Sequence, residues 1–239
     1  MSDMPLSAPE LASRIDHTIL KPEAGSAEVH RVATEAIQLG CASVCVAPVW
    51  VRRVATMLRD SGRHVCTVVG FPHGTSKSTV KAIEATSVVK DGADEIDVVA
   101  HLPNLLASDV DAAKAELIEI VRAARAARPD VTIKVIVESA LLLKVLGPDA
   151  GAAALAASCR AVRESGCDFV KTSTGFHPAG GATVEAVRIL RQHANGIGVK
   201  AAGGVRDLPT ALAMLEAGAD RLGMSNTVEV IESLRKRTP

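Results

Sequence analysis

Four ionisable residues stand inside apolar runs that have the length of buried β-strands. They are Asp97, Lys134, Lys171 and Lys200. A single one could mark a strand end that reaches solvent, but four together fit that explanation poorly, because a lone buried lysine is costly unless it is paired or neutral. Side chains alternate between the two faces of a strand, so these four can share one interior. We therefore expect them to form a site.

Two of the lysines are spaced as neighbours. Lys171 and Lys200 are 29 residues apart, the length of one strand–helix unit, so we expect them on adjacent strands. Burial and mutual repulsion both lower the pKa of a lysine, and a neutral amine attacks a carbonyl to form a Schiff base. The competing interpretation is a structural ion pair between Asp97 and one lysine, which leaves two lysines unexplained.

Small residues follow the last three strand-like runs. Gly175 comes after the Lys171 run, Gly203-Gly204 after the Lys200 run, and Gly223-Met224-Ser225-Asn226 opens the final helix. Backbone N–H groups can approach an anion closely at such residues, and a helix N-terminus favours negative charge. Each glycine alone could serve an ordinary turn. The set predicts a ligand of the size of a sugar phosphate.

Short apolar strands alternate with alanine-rich helices along the whole chain. Four similar short sequence motifs each contain a glycine that we expect to end a helix, at Gly40, Gly92, Gly166 and Gly218. Strands are predicted at 15–18, 43–47, 65–69, 95–99, 132–137, 169–173, 197–202 and 221–223. Helices are predicted at 26–39, 50–59, 76–90, 109–127, 150–164, 183–193 and 209–216. Eight such units in 239 residues indicate a single (β/α)8 barrel domain, residues 1–239, with a short N-terminal helical extension. A doubly wound sheet is the alternative, but no G-x-G-x-x-G follows the first strand.

Composition narrows the function classes. Lys and Arg number 27, as do Asp and Glu, so net charge gives no argument for a nucleic-acid or membrane partner. No apolar run approaches the roughly 18 residues of a membrane span. Five cysteines without a C-x-x-C indicate reduced thiols in a cytoplasmic protein. No metal-ligand motif is present, and we expect neither metal nor cofactor.

Taken together, the motifs resemble those of the deoxyribose-phosphate aldolase family. The resemblance runs from about Asp16 to Asn226 in the order Asp16-His17-Thr18-x-Leu20-Lys21-Pro22, Val69-Gly70-Phe71-Pro72, Glu95-Ile96-Asp97, Lys134-Val135-Ile136-x-Glu138, Val170-Lys171-Thr172-Ser173-Thr174-Gly175 and Val199-Lys200-Ala201-x-Gly203-Gly204-Val205-Arg206.

The resemblance implies a metal-free class I aldolase. Its reaction would be reversible cleavage of 2-deoxy-D-ribose 5-phosphate to D-glyceraldehyde 3-phosphate and acetaldehyde, in deoxynucleoside catabolism. By motif, Lys171 matches the Schiff-base lysine, Lys200 the second lysine, Asp97 the proton-relay carboxylate and Lys134 the lysine that supports it. The remaining expected substrate-binding residues are Asp16, Thr18, Cys45, Thr172, Gly175, Gly203, Gly204, Gly223, Ser225 and Asn226.

The chain departs from the family pattern at the phosphate end. Phe176 stands where some members have a lysine, Asn226 stands where a second serine is common, and the chain has no tyrosine. A homo-oligomer, dimer or tetramer, is expected for this family. Two other functions stay open: an isomerase or epimerase that binds a sugar phosphate non-covalently, and a ligand-binding barrel without turnover.

Overall fold

The protein is a closed barrel of eight parallel strands. The computed structural model describes residues 6–237, so the ends of the predicted domain, residues 1–5 and 238–239, lie outside it. Each strand pairs with the next, and β8 pairs with β1 to close the barrel. The closure confirms the (β/α)8 prediction and excludes the doubly wound sheet. The strands are β1 (Ile15–Ile19), β2 (Ser43–Val46), β3 (His64–Val69), β4 (Glu95–Val99), β5 (Thr132–Ile136), β6 (Phe169–Lys171), β7 (Gly198–Ala202) and β8 (Arg221–Met224).

Helices surround the barrel, and a short helix precedes it as expected. They are α1 (Ala8–Ala12), α2 (Ser26–Leu39), α3 (Val51–Leu58), α4 (Ser78–Lys90), α5 (Leu102–Leu106), α6 (Val110–Ala127), α7 (Ser139–Leu146), α8 (Pro148–Glu164), α9 (Val184–Ala194), α10 (Leu208–Glu216) and α11 (Thr227–Arg235). A 3-10 turn, Pro48–Trp50, leads into α3. None of the helices within residues 6–237 is long and apolar enough to cross a membrane.

The predicted elements are found with shifted ends, and two helices were missed. The strand predicted at 169–173 stops at Lys171, because the next residues turn into the loop. Helices α5 and α7 were not predicted. After Ser139, the α7 sequence is a run of Ala, Leu and Val interrupted only by Lys144, which periodicity alone does not distinguish from a strand. The four glycines expected to end helices all have positive φ, between 74° and 113°.

The apolar core lies between the barrel and its helices, and the barrel interior is polar. Residues such as Ile96, Val98 and Val135 face outward into this core. The alternate residues of the same strands, Asp97 and Lys134 among them, therefore face inward. Asp97 is in register with Lys134, Lys171 with Lys200, and Lys200 with Arg221. The fold thus collects the charged side chains along the barrel axis.

Candidate active site

Seven charged side chains meet inside the barrel, and all but one are almost fully buried. We call them the interior charge cluster. Its four cations and three carboxylates are Lys134, Lys171, Lys200, Arg221, Asp16, Glu95 and Asp97. Arg221 is the partly exposed member, with a side chain 16% accessible. Lys171 and Lys200 lie on adjacent strands in direct register, which confirms the spacing argument.

Asp97 is the centre of the cluster because it contacts all three lysines. Its Oδ2 accepts hydrogen bonds from Lys171 Nζ at 2.7 Å and Lys200 Nζ at 2.6 Å. Its Oδ1 accepts from Lys134 Nζ at 2.9 Å and lies 3.4 Å from the Cys66 sulfur. One carboxylate therefore bridges Lys171 and Lys200, and the simple ion pair weighed from sequence is part of a larger network.

The other two carboxylates balance the remaining cations. Asp16 Oδ2 lies 2.5 Å from Lys200 Nζ, and Asp16 Oδ1 accepts from Arg221 at 2.5 Å. Glu95 Oε2 lies 2.6 Å from Lys134 Nζ. Glu95 Oε1 also contacts His64 Nδ1 at 2.9 Å, at the N-terminal end of the barrel. Charge pairing therefore extends along the barrel axis from His64 to Lys171.

The carboxylates decide the protonation of the buried lysines. Burial opposes charge on Lys200, but Asp16 and Asp97 outweigh burial and raise the pKa of Lys200 above its usual value. Lys134 behaves likewise: burial is outweighed by Asp97 and the pKa of Lys134 rises. Repulsion between the lysines therefore does not bring the pKa of Lys200 below its usual value. Sequence reasoning had counted only one of the carboxylates that face these lysines.

The same contacts keep the acids ionised. Burial favours the neutral acid, but Lys134, Lys171 and Lys200 hold the pKa of Asp97 well below its usual value. Burial is also outweighed at Glu95, where Lys134 lowers the pKa to about 2. At Asp16, Lys200 is the main cation that overcomes burial and lowers the pKa. All three acids are thus hydrogen-bond acceptors at neutral pH.

Carboxylates of the interior charge cluster and two neighbouring cysteines form two groups with the spacing of metal ligands. The first group is Cys45, Cys66 and Asp97, and the second is Asp16, Cys66 and Glu95. Within each group the donor atoms lie within 4.8 Å of one another. Lys134 Nζ lies 3.4 Å from Cys66 Sγ and 2.6 Å from Glu95 Oε2, so an ammonium group already occupies the position that faces both sets. The geometry favours ammonium over metal coordination.

A cavity of about 410 Å³ opens above the cluster at the C-terminal end of the barrel. Lys171 is the only lysine of the cluster that lines it. Thr174 and Phe176 form one wall, and the Phe176 ring packs edge-on against Phe71 at 5.3 Å between centroids. Lys171 is consequently the one buried amine that a ligand in this cavity can reach.

The loops after β7 and β8 form the opposite side of the cavity with backbone groups and small residues. Gly203 has φ 85°, and a Cβ on it would lie 3.1 Å from the Cα atoms of Gly175 and Gly181. A Cβ on Gly223 would lie 3.2 Å from Lys200 Cε, so this glycine makes room for the lysine. The Asn226 side chain makes no cap at the start of α11. The helix amides there remain available to an anion.

The structure separates the expected site residues into two groups. Those that line the cavity are Thr18, Lys171, Gly203, Gly204, Gly223, Ser225 and Asn226. Those outside its lining are Asp16, Cys45, Asp97, Lys134, Lys200, Thr172 and Gly175. Most of the second group are buried beneath the cavity.

Local contacts explain the positions of three of these outlying residues. The Thr172 hydroxyl is held by Ala202, whose N–H donates to it at 3.0 Å. A side-chain hydrogen bond with Cys66 lowers the pKa of Cys45 against the effect of burial. Gly175, with φ 81°, crosses close to Gly203.

Sequence reasoning missed several side chains at the site. Glu95 precedes Asp97 by two residues and Arg221 precedes Gly223 by two, so the two-residue period of a strand could have placed both inside. Lys21 and Arg206 line the cavity, and neither makes an ion pair among the described residues. Both occur in the motifs quoted above, but no spacing argument from a single sequence brings them together.

Fold and site together define the class of protein. A (β/α)8 barrel that presents one lysine at the floor of a cavity at its C-terminal face is the arrangement of an enzyme acting on a carbonyl compound. Residues 11–227 match the model of the DeoC/LacD family aldolases. The chain belongs to the DeoC/LacD aldolase family, and it is an aldolase, a carbon–carbon lyase.

Individual relatives agree with this assignment. The chain is 47% identical over 227 residues to the deoxyribose-phosphate aldolase of Kocuria rhizophila, covering 94% of this chain and 97% of that protein. It is 46% identical over 226 residues to the deoxyribose-phosphate aldolase of Mycobacterium avium, with 94% and 97% covered. The deoxyribose-phosphate aldolase of Aeropyrum pernix, a tetramer, superposes with a TM-score of 0.86 at 35% identity, over 97% of this chain and 94% of that one.

Proposed function

We propose that the protein cleaves 2-deoxy-D-ribose 5-phosphate reversibly to D-glyceraldehyde 3-phosphate and acetaldehyde, through a Schiff base on Lys171. One observation carries the proposal: Lys171 is the only lysine of the interior charge cluster that lines the cavity, and its Nζ lies 2.7 Å from Asp97. The names of the relatives support the choice of substrate.

Charge balance supports Lys171 as the nucleophile. The interior charge cluster holds four cations against three carboxylates. The carboxylates hold the protons on Lys134 and Lys200, and neither of these lysines lines the cavity. Lys171 is thus the amine of the cluster that a substrate can reach.

The reaction then follows from an amine, an acid–base pair and an electron sink. Neutral Lys171 attacks the open-chain aldehyde, and loss of water gives an iminium. Deprotonation of the 3-hydroxyl breaks the C2–C3 bond, releases glyceraldehyde 3-phosphate and leaves an enamine. Protonation of the enamine and hydrolysis of the imine release acetaldehyde and restore the amine. Asp97 and Lys200 carry the protons, and Lys134 keeps Asp97 ionised and oriented.

The phosphate end of the substrate would lie against the loops after β7 and β8. The amides of Gly203 and Gly204, the N-terminus of α11 and the side chains of Ser225 and Asn226 offer donors there. Lys21 and Arg206 add positive charge from the cavity wall. These two cations would compensate for the absence of a lysine at position 176.

The remaining site residues have supporting roles in this proposal. Asp16 pairs with Lys200 from below the cavity, and Thr18 lines the cavity beside it. Cys45 fills the interior next to the lysines. Thr172 ties the end of β6 to β7, and Gly175 lets the loops after those strands approach each other.

We further propose a homo-oligomer, dimer or tetramer, that works in the cytoplasm without metal or cofactor in deoxynucleoside catabolism. The tetramer of the Aeropyrum pernix relative supports an oligomer. The five cysteines, all buried free thiols, fit a reducing compartment.

Borohydride trapping tests the proposed function. Incubation with acetaldehyde and borohydride should leave one ethyl group on Lys171, located by peptide mass spectrometry, and the parent should cleave deoxyribose 5-phosphate. Lys171→Leu should lose both the adduct and the cleavage, whereas Lys144→Leu, at an exposed position on α7, should keep both. Cleavage without a trapped adduct would contradict the Schiff base and favour non-covalent chemistry.

A further inference from the structure

Glu138 is a buried acid to which the mechanism above gives no role. It lies between β5 and α7 with φ 49° and ψ 58°, the left-handed region that residues with a side chain rarely adopt. Its side chain is only 1% exposed. Such a conformation is costly and persists where surrounding contacts hold it, often beside functional sites.

The Glu138 side chain holds the turn of residues 174–176. Its Oε1 accepts two hydrogen bonds from Thr174, one from the backbone N–H at 2.8 Å and one from the hydroxyl at 2.5 Å. The Thr174 hydroxyl oxygen in turn accepts the N–H of Phe176 at 3.1 Å. This carboxylate oxygen therefore holds Thr174 directly, and through the Thr174 hydroxyl it also holds Phe176.

The backbone on either side of Glu138 holds the residues that precede this turn. Val137 N donates to Lys171 O at 3.0 Å, and Ser139 N donates to Thr172 O at 2.8 Å. The segment 137–139 thus contacts the chain at Lys171, Thr172 and Thr174. The left-handed bend at Glu138 lets the same residue start α7 with its carbonyl, which accepts from Leu141 N at 2.9 Å, while its side chain reaches Thr174 in the loop after β6.

We propose that Glu138 is a positioning residue for substrate binding. It holds Thr174 and Phe176 in place as a wall of the cavity, and it neither touches the substrate nor alters the amine chemistry of Lys171. This role deepens the proposed function and rests on it, because the substrate bound against that wall is the sugar phosphate. Acetaldehyde is too small to need the wall.

Three variants separate this role from general stability. Glu138→Gln keeps an oxygen acceptor for both Thr174 donors and is the matched control for Glu138→Ala, which removes it. Thr174→Val removes the hydroxyl and both of its bonds, to Glu138 and to Phe176, but keeps the bond from the Thr174 N–H to Glu138, and it serves if Glu138→Ala does not fold. Glu138→Ala should raise KM for deoxyribose 5-phosphate by about tenfold or more while kcat changes less than about threefold, and Glu138→Gln should stay within about threefold of the parent in both.

Two further readouts accompany the kinetics. Borohydride trapping with acetaldehyde should be unchanged in all three variants, because Lys171 is not disturbed. Amide hydrogen exchange should accelerate at residues 174–176 in Glu138→Ala and Thr174→Val, and stay at the parent rate in Glu138→Gln.

The outcomes decide between the inference and its alternatives. Equal KM and equal exchange in Glu138→Ala and Glu138→Gln would overturn the positioning role. A parallel loss of kcat and of trapped adduct would also overturn it, because Glu138 would then act on the chemistry. If the parent does not cleave deoxyribose 5-phosphate, the proposed function fails. Faster amide hydrogen exchange in Glu138→Ala than in Glu138→Gln would still support the role of Glu138 in holding the turn. Equal exchange in the two variants would refute that role.

Discussion

Replacement of Asp97 by asparagine tests the electrostatic design of the site most directly. The substitution keeps the shape of the side chain and removes one negative charge from a position that contacts Lys134, Lys171 and Lys200. The interior charge cluster would then hold four cations against two carboxylates. Asp97→Asn should therefore damage both catalysis and stability.

The contacts give the size of each effect. Removing one partner from a buried ion pair costs about 3–5 kcal/mol. In a chain of 239 residues, each kcal/mol lowers Tm by about 2–4 °C, so Tm should fall by about 6–20 °C. Loss of a positioned acid–base group should lower kcat by about 10²–10⁴-fold. Asp91→Asn is the control: Asp91 pairs with Arg52 near the surface, where an ion pair contributes at most about 1 kcal/mol.

The stability difference should also depend on pH in a defined direction. The lysines hold the folded-state pKa of Asp97 below its unfolded value, against the effect of burial. The stabilisation by this carboxylate is then fully present above the unfolded pKa of about 3.9 and is lost as the pH falls through the folded value. The Tm gap between parent and Asp97→Asn should be widest near neutral pH and narrow below pH of about 4.

Thermal unfolding between pH 3 and 8 and steady-state cleavage of deoxyribose 5-phosphate are the measurements. A variant with parental Tm at neutral pH would show that Asp97 does not neutralise the lysines. If Asp97→Asn has the kcat of the parent, another group must carry out the proton transfers. Either result would refute the reasoning, whereas a loss of the same size in Asp91→Asn would mean that the assay reports general destabilisation.

Two further predictions concern the walls of the site. Gly223→Ala places a methyl group 3.2 Å from Lys200 Cε and 2.9 Å from Ala202 Cβ, so it should displace Lys200 and lower kcat by about tenfold or more, measured with Tm as the check on folding. An unchanged kcat would show that Lys200 tolerates displacement. Lys21→Met should raise KM for deoxyribose 5-phosphate by about tenfold with little change in kcat, because it removes a cavity-lining cation that makes no ion pair within residues 6–237. Lys236→Met, exposed beyond α11, is its control, and equal KM in the two variants would remove Lys21 from phosphate recognition.

The barrel could be predicted from sequence because its strands have apolar residues on the outer face. Several strands also carry a charged residue on the inner face. The alternation in β4 and β5 places Asp97 and Lys134 in one interior, and the spacing of β6 and β7 pairs Lys171 with Lys200. The short helix α7 was not predicted from the sequence because its residues are apolar on nearly every side. Its sequence does not differ from that of a buried strand until the chain is folded.

Contacts between distant residues could not be predicted in the same way. Lys81 stands in a helical sequence where a lysine is ordinarily solvated, yet it is fully buried and bonded to Glu116 at 2.6 Å. The bond from Thr174 to Glu138 joins residues 36 apart in the chain. Such pairs depend on how helices and loops pack around the barrel, and periodicity within one element carries no information about that packing.

The balance of charge inside the barrel also explains why a crowded cationic site can run a Schiff-base reaction. In the proposed mechanism, the ammonium form of Lys171 and the iminium that would replace it each carry one positive charge at nearly the same point, and Lys171 Nζ lies 2.7 Å from Asp97. The surrounding dipoles and charges need not reorganise between these two states, which is the condition for strong electrostatic stabilisation. Between these two states lie the neutral amine and the carbinolamine, at which stage the cluster has three charges of each sign. In the proposed mechanism, Asp97 is placed to hold the proton at that stage, because its Oδ2 accepts hydrogen bonds from both Lys171 and Lys200.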